Sequence, residues 1–166
     1  MSRLDSVIRR LQAQRSCIDW AAAAVAELPG PVLELGLGNG RTYDHLRDRL
    51  PGRAIFAFDL SVRAHPDCIP DDSHLILGDF AETLPQAADR FAGQVSLLHA
   101  DIGSGEAAIT RRSAELVGRH IDTLLQPGGI GLCDQELSAQ GLEVLPLPEG
   151  VAPGRYFIYR RGKAAS

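Results

Sequence analysis

Val32-Leu33-Glu34-Leu35-Gly36-Leu37-Gly38-Asn39-Gly40 is the stretch whose reading decides the fold. A short apolar run carries Glu34, then breaks into glycines at every second position, and a helix-like stretch from Arg41 to Leu50 follows. Glycine permits unusual φ and has no Cβ to block the approach of a ligand to the main chain. A helix starting behind such a loop offers unpaired N–H groups. The next apolar run, Ala54-Ile55-Phe56-Ala57-Phe58, ends at Asp59. From Gly40 to Asp59 is 59 − 40 = 19 residues. That is close to the spacing of about 20 at which an acidic side chain reaches a ribose hydroxyl in doubly wound α/β folds.

Strand and helix patterns alternate outward from this unit. Residues 2–28 read as a helix, because Leu4, Val7, Ile8, Leu11 and Ile18 recur at three-, four- and seven-residue spacings, and Pro29-Gly30-Pro31 stops it. Strands are expected over 32–35, 54–58, 75–77, 95–100 and 130–133, with Pro127-Gly128-Gly129 turning into the last of these. Helices are expected over 41–50, 80–91 and 106–125, and a loop or short helix over 62–73. This alternation implies a mostly parallel sheet with helices on both faces. Residues 142–147 and 156–159 read as two more strands, and the segment Pro148 to Arg155 between them is too short for a parallel crossover. They should form an antiparallel hairpin at the sheet edge. The 166 residues suit one domain, a helical extension over 1–28 and a core over 31–166.

Apolar residues make up 45% of the chain and charged residues 23%, both ordinary for a globular protein. A net charge of −4 gives no global basic field, which argues against nucleic acid as a partner. Cys17, Cys68 and Cys133 are odd in number with no CxxC pair, as expected of reduced thiols in the cytoplasm. The N-terminus is charged and lacks a signal-peptide core. Its longest apolar run, Trp20 to Ala26, falls short of the roughly 20 residues of a membrane span. A cytoplasmic protein without membrane contact follows. His45, His65, His74 and His120 match no metal-binding spacing, Arg9-Arg10 and Arg111-Arg112 read as solvated helix faces, and Trp20 reads as packing.

With these landmarks in order, the chain from Pro31 onward resembles the class I S-adenosylmethionine-dependent methyltransferases. Glu34 to Gly40 is similar to that family's acidic-x-Gly-x-Gly-x-Gly motif, and Asp59 to its second-strand acid. Gly78-Asp79-Phe80 resembles the position after strand three, Ala100-Asp101 that after strand four, and Leu125-Gln126-Pro127-Gly128-Gly129 the turn into strand five. The resemblance implies a Rossmann-like α/β fold, a seven-stranded sheet in the order 3-2-1-4-5-7-6 with the last strand antiparallel, and S-adenosyl-L-methionine as cofactor. A nicotinamide-dependent reductase would want GxGxxG, but position 41 is Arg41 where the third glycine belongs.

The resemblance also implies roles. The backbone of Gly36, Leu37, Gly38, Asn39 and Gly40, with Thr42 behind it, packs against the methionine and ribose parts of the cofactor. Glu34 orients the ammonium end or caps the loop. Asp59 accepts from both ribose hydroxyls, with Leu60 beside it, or caps a helix. Asp79 accepts from the adenine amino group or caps the helix starting near Phe80. Phe80 stacks on the adenine or fills the core. Ala100 and Asp101 complete the wall. Methyl transfer is an in-line displacement that needs alignment and dryness above all, and a base only for a hydroxyl or charged amine. Asp101 and His99 are the catalytic candidates, although a histidine inside a strand also reads as a buried, hydrogen-bonded one. Asp101, Asp134 and Gln135 resemble the metal ligands of catechol O-methyltransferase-like enzymes, but an acidic pocket rim without metal is the reading adopted. The expected acceptor is a small molecule, since nothing reads as a separate recognition domain. The first helix serves as a lid or as a contact in a homo-oligomer. The alternatives are a non-catalytic S-adenosylmethionine-binding protein, the reductase, and a nucleic-acid or protein methyltransferase.

Overall fold

A computed structural model describes residues 2–162; the ends of the expected domain, residue 1 and residues 163–166, lie outside the described residues. Helix α1 (Arg3–Ala24) opens on a capping box, in which Ser2 and Asp5 each accept from the other's backbone. Then follow β1 (Val32–Leu35), α2 (Arg41–Arg49), β2 (Ile55–Asp59), β3 (Leu75–Leu77), α3 (Phe80–Phe91), β4 (Val95–Ala100) and α4 (Ala107–Leu124). The chain goes on through β5 (Leu125–Cys133), β6 (Leu142–Leu145) and β7 (Phe157–Arg161). A 3-10 turn at Pro66–Cys68 lies within the stretch expected to be loop or short helix.

The sheet has the expected order, β3-β2-β1-β4-β5-β7-β6. Its first five strands pair in parallel, and β7 runs antiparallel to both β5 and β6. All residues of β1 and β4 are buried, as befits parallel strands covered on both faces. Alternate residues go to opposite layers. Leu33, Leu35, Leu98 and Ala100 join the cluster under α3 and α4, while Val32 and Leu97 join the cluster under α1 and α2. Glu34 and His99 are register partners in adjacent strands, so their side chains stand next to each other on one face.

Most elements lie within two residues of the expected bounds, and two boundaries differ by more. The first helix ends at Ala24, four residues before Leu28. Arg53, from the turn before β2, reaches across and donates to the carbonyls of Val25, Ala26, Leu28 and Gly30 and to Ser96 Oγ. A side chain from elsewhere thus satisfies carbonyls at the helix exit. Strand β5 begins at Leu125 rather than Ile130, because Val95 pairs with Leu125 and Leu97 with Ile130, and the residues between bulge outward. Gly128 carries the bulge at φ +82°. The exposed start of α1 is also informative: Leu4 is 67% exposed, whereas Gln14, Cys17, Ile18 and Ala21 are buried. The apolar stripe read from the sequence therefore covers the sheet only over its second half.

Candidate active-site cleft

The sheet's connection order reverses between β1 and β4, where ligands bind in open α/β sheets. A cleft of about 620 Å³ opens there, within the usual size of small-molecule sites. Its floor is the loop after β1, in which Gly36, Gly38 and Gly40 all have positive φ. A Cβ on Gly36 would lie 2.5 Å from the Asp101 carbonyl oxygen, and one on Gly40 would lie 2.5 Å from Cys68 Cβ. A Cβ on Gly38 would meet nothing within 4 Å. The outer glycines are thus required by close packing, while the middle one leaves bare backbone facing open space.

The carboxylates following the strands ring this floor. Asp59 accepts from Gly38 N at 2.8 Å on Oδ2 and from Leu60 N at 2.7 Å on Oδ1. A carboxylate has about four acceptor sites, so Asp59 braces the loop and retains capacity for hydroxyl donors. Asp79 caps α3 through Ala81 N at 2.8 Å, and the Arg112 guanidinium lies 3.3 Å from its Oδ2. Asp101 closes the ring, with Gln14 Nε2 donating to its Oδ2 at 2.8 Å and Arg10 at 3.9 Å from the same oxygen.

Among the residues expected at the cofactor, Gly36, Leu37, Gly38, Asn39, Thr42, Asp59, Leu60, Asp79, Phe80 and Asp101 line the cleft. Glu34, Gly40 and Ala100 stand behind its wall, each of them buried. Glu34 is wholly enclosed, and its carboxylate accepts from the Thr42 hydroxyl and meets His99 Nδ1 at 2.6 Å. His99 is likewise enclosed and does not face the cleft; its Nε2 lies 2.9 Å from the Tyr156 hydroxyl. Burial disfavours charge on the imidazole, but the adjoining Glu34 carboxylate outweighs it and raises the His99 pKa above its ordinary value. Burial pushes the Tyr156 phenol well above its usual range.

Asp134 accepts from the backbone of Ile102 at 2.9 Å and Gly103 at 3.0 Å, fastening the loop after β4, and Gln135 Nε2 donates to it at 3.1 Å. Among the described residues no group of three His, Cys, Asp or Glu is arranged to hold a metal ion. Trp20 packs against the core under α1.

Sequence reasoning missed Arg10, Gln14, Arg112 and Tyr156. Arg10 and Arg112, read as solvated, line the cleft. For Gln14 a signal existed. It shares the helical face of Cys17, Ile18 and Ala21 at three-, four- and seven-residue spacing, and a polar side chain on an apolar face needs a partner.

Comparison with known proteins decides the family. The family model described as S-adenosyl-L-methionine methyltransferase matches residues 1–161. The chain belongs to this family. It is an S-adenosyl-L-methionine-dependent methyltransferase, and a solved S-adenosyl-L-methionine methyl transferase from Silicibacter pomeroyi DSS-3 is 48% identical to it. That structure has a TM-score of 0.92, with 98% of this chain and 99% of that one covered. A fibrillarin-like rRNA/tRNA 2'-O-methyltransferase from Methanothrix thermoacetophila is 33% identical over 106 residues, 61% of this chain and only 46% of that protein's length. A chain of a solved fibrillarin/Nop5p complex shares the fold, at 16% identity and TM-score 0.55 over 81% of this chain and 73% of that one.

Proposed function

We propose that the cleft holds S-adenosyl-L-methionine along the Gly36–Gly40 loop and that a small molecule is methylated at its Asp101 end. The supporting observation is the fit: main chain laid bare at Gly38, flanked by Asp59, whose Oδ1 accepts from Leu60 and Ser61 and whose Oδ2 accepts from Gly38 and keeps acceptor capacity. Asp59 is suited to the ribose hydroxyls. Asp79 and Phe80, at the start of α3, are suited to the adenine. When bound, the cofactor supplies a methyl group already activated on a sulfonium. The protein's task is then alignment and the exclusion of water. Leu11, Ile102 and Leu116 give the cleft apolar lining, and Asp101, next to Ile102, stands in it as an acceptor for a proton-bearing group. Glu34 and His99 act from behind the wall and have no direct contact with ligand in this reading.

Calorimetry with S-adenosylmethionine and S-adenosylhomocysteine on wild type and Asp59→Ala tests it. Losing hydrogen bonds to a charged group should weaken binding by about 1.5–3 kcal/mol each. Unchanged affinity removes Asp59 from the site, and binding without product from any acceptor favours a non-catalytic scaffold.

An RNA hydroxyl is the second reading, favoured by the fibrillarin-like relative. The net charge of −4 favours the small molecule. Tritium transfer from labelled cofactor to total RNA against a metabolite extract separates the two. Three unpaired thiols, Cys17, Cys68 and Cys133, support a reducing compartment such as the cytoplasm, and no described helix is long and apolar enough to cross a membrane.

A further inference from the structure

We propose that Gln14 and Tyr156 are positioning residues for Asp101. In this assignment the Gln14 carboxamide pins one oxygen of the Asp101 carboxylate and presents the other to a hydrogen-bond donor on the methyl acceptor, a hydroxyl or an amine. The inference rests on reading the cleft as the methyl-transfer site.

Its basis is a hydrogen-bonded spine running through the interior. Gln14 is 6% exposed and uses both amide protons, one to Asp101 Oδ2 at 2.8 Å and one to the Tyr156 hydroxyl at 3.0 Å. Turning the amide over would set its carbonyl against the Asp101 carboxylate, so the network fixes its orientation. Tyr156 is held in turn. It is 1% exposed, its ring stacks on His99 with centroids 5.9 Å apart, and its hydroxyl meets His99 Nε2 at 2.9 Å. His99 leans on Glu34, and Glu34 on Thr42. Among the described residues no buried side-chain polar atom lacks a partner. Both ends of the spine, Thr42 on one side and Gln14 with Asp101 on the other, open on the same cleft. A stabilising polar core would not need to end there. The contacts of Gln14 and Arg10 with Asp101 both fall on Oδ2, which leaves Oδ1 for a donor in the cleft.

Two measurements need no knowledge of the acceptor. Three-bond couplings from Asp101 Cγ to its backbone N and carbonyl carbon report the χ1 rotamer, with or without S-adenosylhomocysteine. Wild type should show a single rotamer, Gln14→Met an average over rotamers, and Tyr156→Phe partial averaging. A single rotamer retained in Gln14→Met overturns the proposal; should that variant fail to fold, Gln14→Asn, whose amide is one carbon short, decides in its place. The second probe is sinefungin, which carries an amine where the transferred methyl would be. A charged hydrogen bond to Oδ1 should make it bind wild type about tenfold more tightly than S-adenosylhomocysteine, with most of that advantage lost in Gln14→Met. Equal affinity of wild type for the two ligands overturns the role given to Oδ1. Failure of wild type to bind S-adenosylhomocysteine at all would instead overturn the reading of the cleft, while the couplings still test the spine in the free protein.

Discussion

The glycine-loop wall and the α1 wall of the cleft are made of different material. On the first, Gly36 to Asn39 present main chain braced by Asp59. On the second, Arg10, Leu11 and Gln14 present side chains, and Gln14 is anchored through Tyr156 and His99 to the middle of the sheet. Backbone walls are set by local φ and by what a Cβ would strike. Side-chain walls are set by partners far off in sequence, and Gln14 and Tyr156 are 142 positions apart. The first kind tolerates little change of residue type, whereas the second depends on every link of a chain.

The contrast is broken most forcefully from behind. Glu34→Ala leaves a wholly buried histidine without its carboxylate, and should cost about 3–5 kcal/mol in urea unfolding; a loss under about 1 kcal/mol would mean that the spine bears no strain. The loop offers a sharper test. Gly40→Ala forces a Cβ against Cys68 at φ +84° and should lower stability by about 1–3 kcal/mol, as overpacking does. Gly38→Ala, with open space around it, should cost only the left-handed backbone penalty of about 1–2 kcal/mol while weakening S-adenosylhomocysteine binding; calorimetry and thermal melts on the pair check it. Arg53→Ala removes the donor to four carbonyls beyond α1 and should destabilise by about 1–3 kcal/mol, visible as a lower melting temperature and unchanged loop geometry.

The smallest expected effect is on pH. The His99 imidazole faces Glu34 and Tyr156, with Asp101 and Asp134 close enough to act on it. Its pKa is raised in the folded protein, so the stability it contributes is complete below its unfolded value of about 6.5 and is lost as pH rises through the folded value. Tyr156, pushed upward, stays neutral through that window. The urea midpoint of wild type should therefore fall between about pH 6 and about pH 9 by more than that of His99→Gln.

The same division governs what could be read beforehand. β1, β3, α3 and β4 have the bounds expected from the apolar runs, because each is delimited by its own turn residues. The glycine loop was legible for the same reason. The beginning of β5 was not, since Pro127-Gly128-Gly129 signals a turn and only pairing with Val95 draws Leu125 into the sheet. A buried, hydrogen-bonded His99 was one of the two readings its strand allowed, but its pairing with Glu34 depends on inter-strand register, which one strand alone does not encode. Gln14 was the recoverable miss, a polar break in an apolar face; its pairing with Asp101, itself already a candidate, and with Tyr156 was not recoverable, since only the assembled sheet brings β4 and the approach to β7 beneath α1.

The Arg53 clip has one more consequence, for the order in which α1 comes undone. The guanidinium fastens the residues after its tail to the turn before β2, while Leu4, Val7 and Ile8 near its head lie against solvent. A helix bolted at one end unravels from the other, so amide deuteration should sweep from Ser6 toward Ala22, and a protease should trim the head back to about Ala13 before the tail lets go.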